Sequence, residues 1–199
     1  MKSIKEKKER ALGVKLFIKA DRCNSPKCVT VRRPYRPGVH GQDRRRQPSE
    51  YGRELKEKQK LQIIYGLNNR QMMNLFGSKS PEEILKHLEK RLDRVVFLLG
   101  LAKSPRIARQ LVSHGHILVN GRKVTIPSYY VKVGDKIEIR PESRPSKLFE
   151  DVQLRLKQYT PPAWLKLDAA NLKGECIEEP VVESSLPFDI NLVGEFYAR

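Results

Sequence analysis

The residues best placed to do chemistry in this chain lie between Ser104 and Gly121, in the run SPRIARQLVSHGHILVNG. Ser104 is a good N-cap, and Pro105 suits the first helical position, where its missing N–H costs nothing. Ile107, Ala108, Leu111 and Val112 then fall on one side of a predicted helix. Arg106, Arg109, Gln110 and Ser113 fall on the other, at offsets of three, four and seven. Gly115 can take the left-handed conformation that ends the helix, with His114 in its last turn. Ile117 and Val119 point one way along a short strand, and Asn120-Gly121 is a strong two-residue hairpin signal before Arg122-Lys123-Val124. A cationic, hydrogen-bonding helix face thus stands beside a hairpin edge carrying His116, Asn120 and Lys123. A charged helix face is usually only solvated. Here the cations share one side, no acid interrupts them and the whole chain is basic, a pattern that fits contact with nucleic acid. Arg106, Arg109 and Lys123 would meet phosphates, while Gln110, Ser113, His116 and Asn120 would bond sugar hydroxyls or base edges.

Other elements must hold that face in place. Ser80-Pro81-Glu82-Glu83 is a capping box, and Ile84, Leu85, Leu88, Leu92, Val95, Val96 and Leu99 follow at helical spacing to Gly100. This predicts one long spine helix that presents Lys90, Arg91 and Arg94, with Lys103 and Ser104 leading into the next element. After the hairpin, 129–131 and 136–140 read as strands separated by a Gly134-Asp135 turn. Ser146 is expected to cap a helix reaching Tyr159, with Leu148, Phe149, Val152 and Leu156 inward. Trp164 to Leu167 and Asn191 to Tyr197 read as extended segments packing back. Upstream, Ser49 caps a helix through about Tyr65 that carries Arg53, Lys56, Lys58 and Lys60. Asn68 or Asn69 starts a shorter one with Met72, Met73, Leu75 and Phe76. Residues 23–48 hold four prolines and many arginines, with little periodicity. They read as an extended basic arm, with Arg32, Arg33, Arg36, Arg44, Arg45 and Arg46 suited to phosphates and Tyr35 available to stack on a base. The expected class is α+β, in four segments: 1–48, 49–90, 91–145 and 146–199.

Composition agrees with a polyanionic partner. Lys and Arg number 40 against 23 acids, a net charge of +17 over 199 residues. The excess is +12 in residues 1–66 and +9 in 67–163, whereas 164–199 carry −4. The last segment is therefore better suited to a protein surface than to phosphate, and Glu183, Asp189 and Glu195 are its candidate contacts. The longest apolar run, Val95 to Ala102, is too short to span a bilayer. Three cysteines in a chain without a signal-peptide pattern imply reduced thiols and the cytosol. No phosphate-binding glycine loop, HExxH pair or activated nucleophile is visible, and the four histidines show no partner spacing, so an enzyme is not expected.

The organising stretch resembles the alpha-L RNA-binding motif through Leu92-Asp93-Arg94-Val95, Ser104-x-x-x-Ala108-Arg109-Gln110-Leu111-Val112 and Gly115-His116-Ile117-x-Val119-Asn120-Gly121. Flanking blocks narrow the resemblance. Cys23-x-x-x-x-Cys28, Arg32-Arg33-Pro34-Tyr35-x-Pro37-Gly38-x-His40-Gly41, Tyr51-Gly52, Glu57 to Leu61 and the closing Glu195-Phe196-Tyr197-x-Arg199 are similar to bacterial-type small-subunit ribosomal protein four. A heat-shock ribosome-rescue factor shares the motif but has neither the arm nor the tail. The resemblance implies a structural ribosomal protein, on a cytoplasmic or organellar ribosome, that does not form homo-oligomers. It would bind the 5′ domain of small-subunit rRNA, near the channel where mRNA enters and beside ribosomal proteins three and five. It also implies a role for Arg44, Arg45 and Arg46 at incoming mRNA, and for the acidic tail in decoding accuracy. Some members hold zinc through a Cys-x-x-Cys pair followed by a Cys-x-x-x-x-Cys pair. This chain has only the second, Cys23 and Cys28, with Glu6 and Glu9 about where the first would stand. An ion pair or apolar contact is expected there in place of a metal, and no cofactor is expected.

Overall fold

The computed structural model describes residues 6–198 apart from 19, 44–46, 78–79, 147 and 182–185. The chain forms two compact units. One joins residues 1–84 to 183–199, and the other comprises 85–182.

In the first unit, α1 (Lys7–Leu12), α2 (Ala20–Cys23), α3 (Val29–Arg32) and a 3-10 turn (Val39–Gln42) precede two longer helices, α4 (Glu50–Tyr65) and α5 (Asn69–Phe76). Between its extended stretches the arm thus carries short helical turns, which a count of prolines does not reveal. Ser49 caps α4 by accepting the Gly52 N–H at 3.2 Å. Asn68 and Gln71 cap α5 reciprocally, at 2.8 and 3.0 Å. The expectation of an extended run from Asn191 to Tyr197 is corrected: α10 (Ile190–Ala198) is a helix packed on α4 and α5. Asp189 accepts the Asn191 N–H at 2.9 Å and starts it. Val193, Phe196 and Tyr197 recur at helical spacing, so a helix buries Val193 while bringing Phe196 to Tyr51 and Tyr197 to Phe76.

The expected spine helix is also corrected. It is two helices, α6 (Pro81–Glu89) and α7 (Leu92–Leu98), and Arg91 between them is extended at φ −67° and ψ 138°. The break lets the start of α7 find partners outside the helix. Leu92 N–H donates to the Tyr129 carbonyl at 2.8 Å and Asp93 N–H to that of Pro127 at 3.2 Å. Apolar spacing cannot report such a break, because both helices bury a stripe of the same period.

The second unit packs α7 and α8 (Pro105–Ser113) against a five-stranded antiparallel sheet in the order β2-β1-β3-β5-β4. Its strands are β1 (Ile117–Val119), β2 (Arg122–Lys123), β3 (Lys136–Ile139), β4 (Leu165–Asp168) and β5 (Lys173–Cys176). Ile137, Ile139, Leu165 and Cys176 face the helices. A Cβ on Gly174 would lie 2.5 Å from the Leu99 side chain, so that strand position needs glycine for α7 to approach. Tyr129 to Val131 is not a strand, and Tyr130 makes only an isolated bridge to Arg91. The helix expected from Ser146 shrinks to α9 (Val152–Leu156). Before it the chain runs in tight turns that bring Phe149 in against the His116 ring and leave Leu148 exposed. The class is α+β, as the pattern predicted.

Candidate nucleic-acid interface

The Ser104–Gly121 stretch folds as its spacing dictates. Ser104 is buried and accepts the Ile107 N–H at 3.3 Å, so it serves as the cap of α8 rather than as a surface contact. Ala108, Leu111 and Val112 are buried in the core, with Gln110, Ser113 and His114 exposed and Arg106 half-buried. Ile107, expected on the buried side, is corrected: it lies at the edge of that stripe and is exposed. Gly115, at φ +76°, ends the helix, and a Cβ there would lie 2.2 Å from Lys123 Cε. The left-handed backbone favours glycine there, while the lysine, being flexible, could swing aside. Asn120 and Gly121 have φ of 50° and 76°, the two positive values a tight primed hairpin turn demands.

Asn120 spends its side chain on this turn. Its amide donates to Asp135 at 2.8 Å and its oxygen accepts the Lys136 N–H at 2.9 Å, so both polar atoms hold the hairpin to β3. His116 Nδ1 lies 2.9 Å from the Ser143 hydroxyl. Burial, then the nearby charges of His114, Arg140 and Lys123, push its pKa below the ordinary imidazole value. Arg140 and Arg122, which sequence reasoning passed over, extend the same cationic edge. Their signal was only their adjacency to Lys123 and to the end of β3.

Behind this face lies a buried charge cluster. Arg91 bonds Asp93 through two nitrogens, at 3.1 and 2.8 Å, with both side chains under a tenth exposed. Arg109 Nη1 approaches the same carboxylate at 3.5 Å and is a quarter exposed. Arg91, expected at the surface, is therefore interior, and Arg109 stands between core and rim. Arg94 pairs with Glu89 at 2.9 Å beside Phe97, and Lys103 pairs with Asp151 at 3.3 Å.

In the first unit, Arg32, Arg33 and Arg53 are exposed, while Tyr35 and Arg36 are half-buried. Arg10 fixes the latter two by donating to their carbonyls at 3.0 and 3.2 Å. Lys58 is turned over the Phe196 and Tyr197 rings, and burial lowers its pKa. Lys60 pairs with Glu57 at 2.7 Å. Neither lysine stands out as a free surface cation. Asp189 caps α10 and Glu195 is exposed on it. Arg44, Arg45, Arg46 and Glu183 lie outside the described residues.

Comparison with known proteins places this geometry. Residues 1–98 match the N-terminal domain of ribosomal protein S4/S9, and residues 90–137 match the S4 domain. The small ribosomal subunit protein uS4 of Thermus thermophilus is 48% identical over 96% of this chain and 94% of its own. The chain belongs to the uS4 family. The uS4 proteins of Halothermothrix orenii and Syntrophomonas wolfei are 46% and 45% identical over the same shares. Membership accounts for the absence of catalytic motifs, since uS4 is a structural and not an enzymatic component. The S4 domain match spans α7, α8 and the hairpin, so the alpha-L resemblance and the cationic face coincide.

The zinc that uS4 resemblance implies for some members does not fit the residues here. Among the described residues no three His, Cys, Asp or Glu side chains converge to hold a metal ion. Glu6 pairs with Arg22 at 3.3 Å, and Cys28 Sγ lies 2.9 Å from the Thr30 hydroxyl. A tetrahedral site needs four converging thiolate, imidazole or carboxylate donors.

Proposed function

We propose that the chain is a structural constituent of the small ribosomal subunit that binds the 5′ domain of small-subunit rRNA during assembly. One observation carries this: Arg106, Gln110, Ser113, His114, Arg122 and Lys123 lie on the solvent-facing side of α8 and its hairpin, backed by the buried Ala108, Leu111 and Val112. The relatives named above, and the net charge of +17, support the same reading. Arg106, Arg122 and Lys123 take phosphates, Arg109 steadies the face from behind, and Gln110, Ser113 and His114 bond sugars or bases. In the first unit, Arg32, Arg33 and Arg53 supply further phosphate contacts around Tyr35. The family resemblance adds mRNA entering past Arg44 to Arg46, ribosomal proteins three and five as neighbours, and a part in decoding accuracy in which Glu195 is the exposed candidate.

Salt dependence tests the rRNA contact. Each lost phosphate contact flattens the plot of log affinity against log salt by about 0.7–0.9 units. Arg106→Ala with Lys123→Ala should therefore weaken binding of a 5′-domain fragment most at low salt and flatten the slope by under about two units. Leu111→Ala is the control, costing about 2–5 kcal/mol of stability because it empties a buried site. A folded double variant with unchanged affinity and slope overturns the assignment.

A further inference from the structure

The N-terminal segment of the first unit gathers around one buried carboxylate. Glu9 on α1 is only 2% exposed. Its Oε1 accepts the Leu16 N–H at 3.0 Å, the Ile18 N–H at 3.2 Å and the Cys23 thiol at 3.9 Å. Leu16, Ile18 and Cys23 are themselves buried. The same short helix reaches outward in two other directions. Glu6 pairs with Arg22. Arg10 donates to the Tyr35 and Arg36 carbonyls, with its guanidinium 4.9 Å from the Tyr35 ring centre.

We propose that Glu9 is the organising group of this segment, a fixed anion that draws in Leu16, Ile18 and Cys23 where zinc-holding relatives would use a metal ion. A carboxylate buried without partners costs several kcal/mol, so its position here depends on the backbone N–H groups that turn to meet it. Zinc at the same place would need Cys23 and Cys28 as thiolates and two further ligands. Glu9 Oε1 already serves three donors, Glu6 is engaged by Arg22, and Cys28 by Thr30. A metal could enter only by dismantling those contacts. Glu9 and Arg10 are adjacent, so the anion that holds Leu16, Ile18 and Cys23 also fixes the base from which Tyr35 and Arg36 are presented.

Amide hydrogen exchange on the full chain, combined with zinc analysis, tests it. Glu9→Ala should speed exchange of the Leu16 and Ile18 amides by about tenfold or more, as loss of a charge-assisted bond implies, while Val112 in the second unit keeps its rate. The wild type should hold less than about a tenth of an equivalent of zinc, and a chelator should leave its rates unchanged. If Glu9→Ala also loosens Val112, Glu9→Gln carries the test. It keeps the shape and one acceptor but not the charge, and about a threefold rise is expected. Unchanged Leu16 and Ile18 rates in a folded variant overturn the proposal. So does stoichiometric zinc that is lost in Cys23→Ser, or chelator-sensitive exchange in the wild type.

Discussion

Asp93 and His116 show how single residues divide the labour of the candidate face. Asp93 has two arginines on one carboxylate, and only Arg91 is fully interior. Removing the acid leaves a buried guanidinium without its partner. Asp93→Ala should therefore destabilise the second unit by about 3–5 kcal/mol, read by denaturant unfolding, and Arg109 should lose its contact with this carboxylate at the same time. His116 bears on the pH dependence of this face. Its ring meets Ser143 and Phe149 and faces the charges of His114, Arg140 and Lys123. Its folded pKa lies below the unfolded value, so as pH falls through about 6.5 the unfolded chain takes the proton first and stability drops. His116→Gln should lose less melting temperature than wild type between about pH 7.5 and 5.5. A phosphate at the same edge would favour the imidazolium. RNA affinity of the wild type should thus rise more steeply with acidification than that of His116→Gln, and parallel pH profiles would dissociate His116 from the bound anion.

At the scale of elements, α10 ties the end of the chain into the first unit. Its ring contacts with Tyr51 and Phe76, and Lys58 over Phe196 and Tyr197, make it part of the first unit's packing. The Tyr197 hydroxyl sits in that packing with no hydrogen-bond partner among the described residues, and burial pushes its pKa up to about 12. Truncation before Ile190 should consequently lower the melting temperature of the first unit by several degrees, an effect that circular dichroism with a unit-specific probe would detect. Asp189→Ala removes only the cap and should cost about 1 kcal/mol. A tail that could be deleted with no thermal effect would be a surface appendage instead. For the proposed role in decoding, Glu195→Lys is the sharper change, because it alters an exposed charge and leaves the helix in place.

For the whole molecule, the two units have different dependencies. Residues 92–176 supply a complete core of their own, from Leu92 through the sheet to Cys176. The first unit draws its α10 from the far end of the chain. A fragment of residues 80–182 should therefore fold alone, with dispersed amide resonances. A fragment of residues 1–84 should not reach its full stability unless residues 186–199 are supplied. Equal stability of the 1–84 fragment with and without that peptide would refute the interdependence. The charge distribution follows the same division only loosely, since the acidic last segment contributes both to the sheet and to α10.

Local rules alone determined much of this protein. Ser49, Asn68 and Ser104 cap the helices their types predict, Asn120-Gly121 makes the turn its residues demand, and the α8 face separates at helical spacing. Each of these depends on neighbours a few residues away. The break at Arg91 depends on Tyr129 and Pro127, the helical state of 190–198 on α4, and the burial of Arg91 on Asp93. Spacing offers Asn120 to a base, but Asp135 and Lys136 take both of its polar atoms. It puts Glu9 where an ion pair or apolar contact is expected, but Leu16 and Ile18 turn their N–H groups to it. Spacing tells which residues share a face. Only the folded chain decides which polar groups on that face are already satisfied, because their partners come from sequence positions that no local pattern connects.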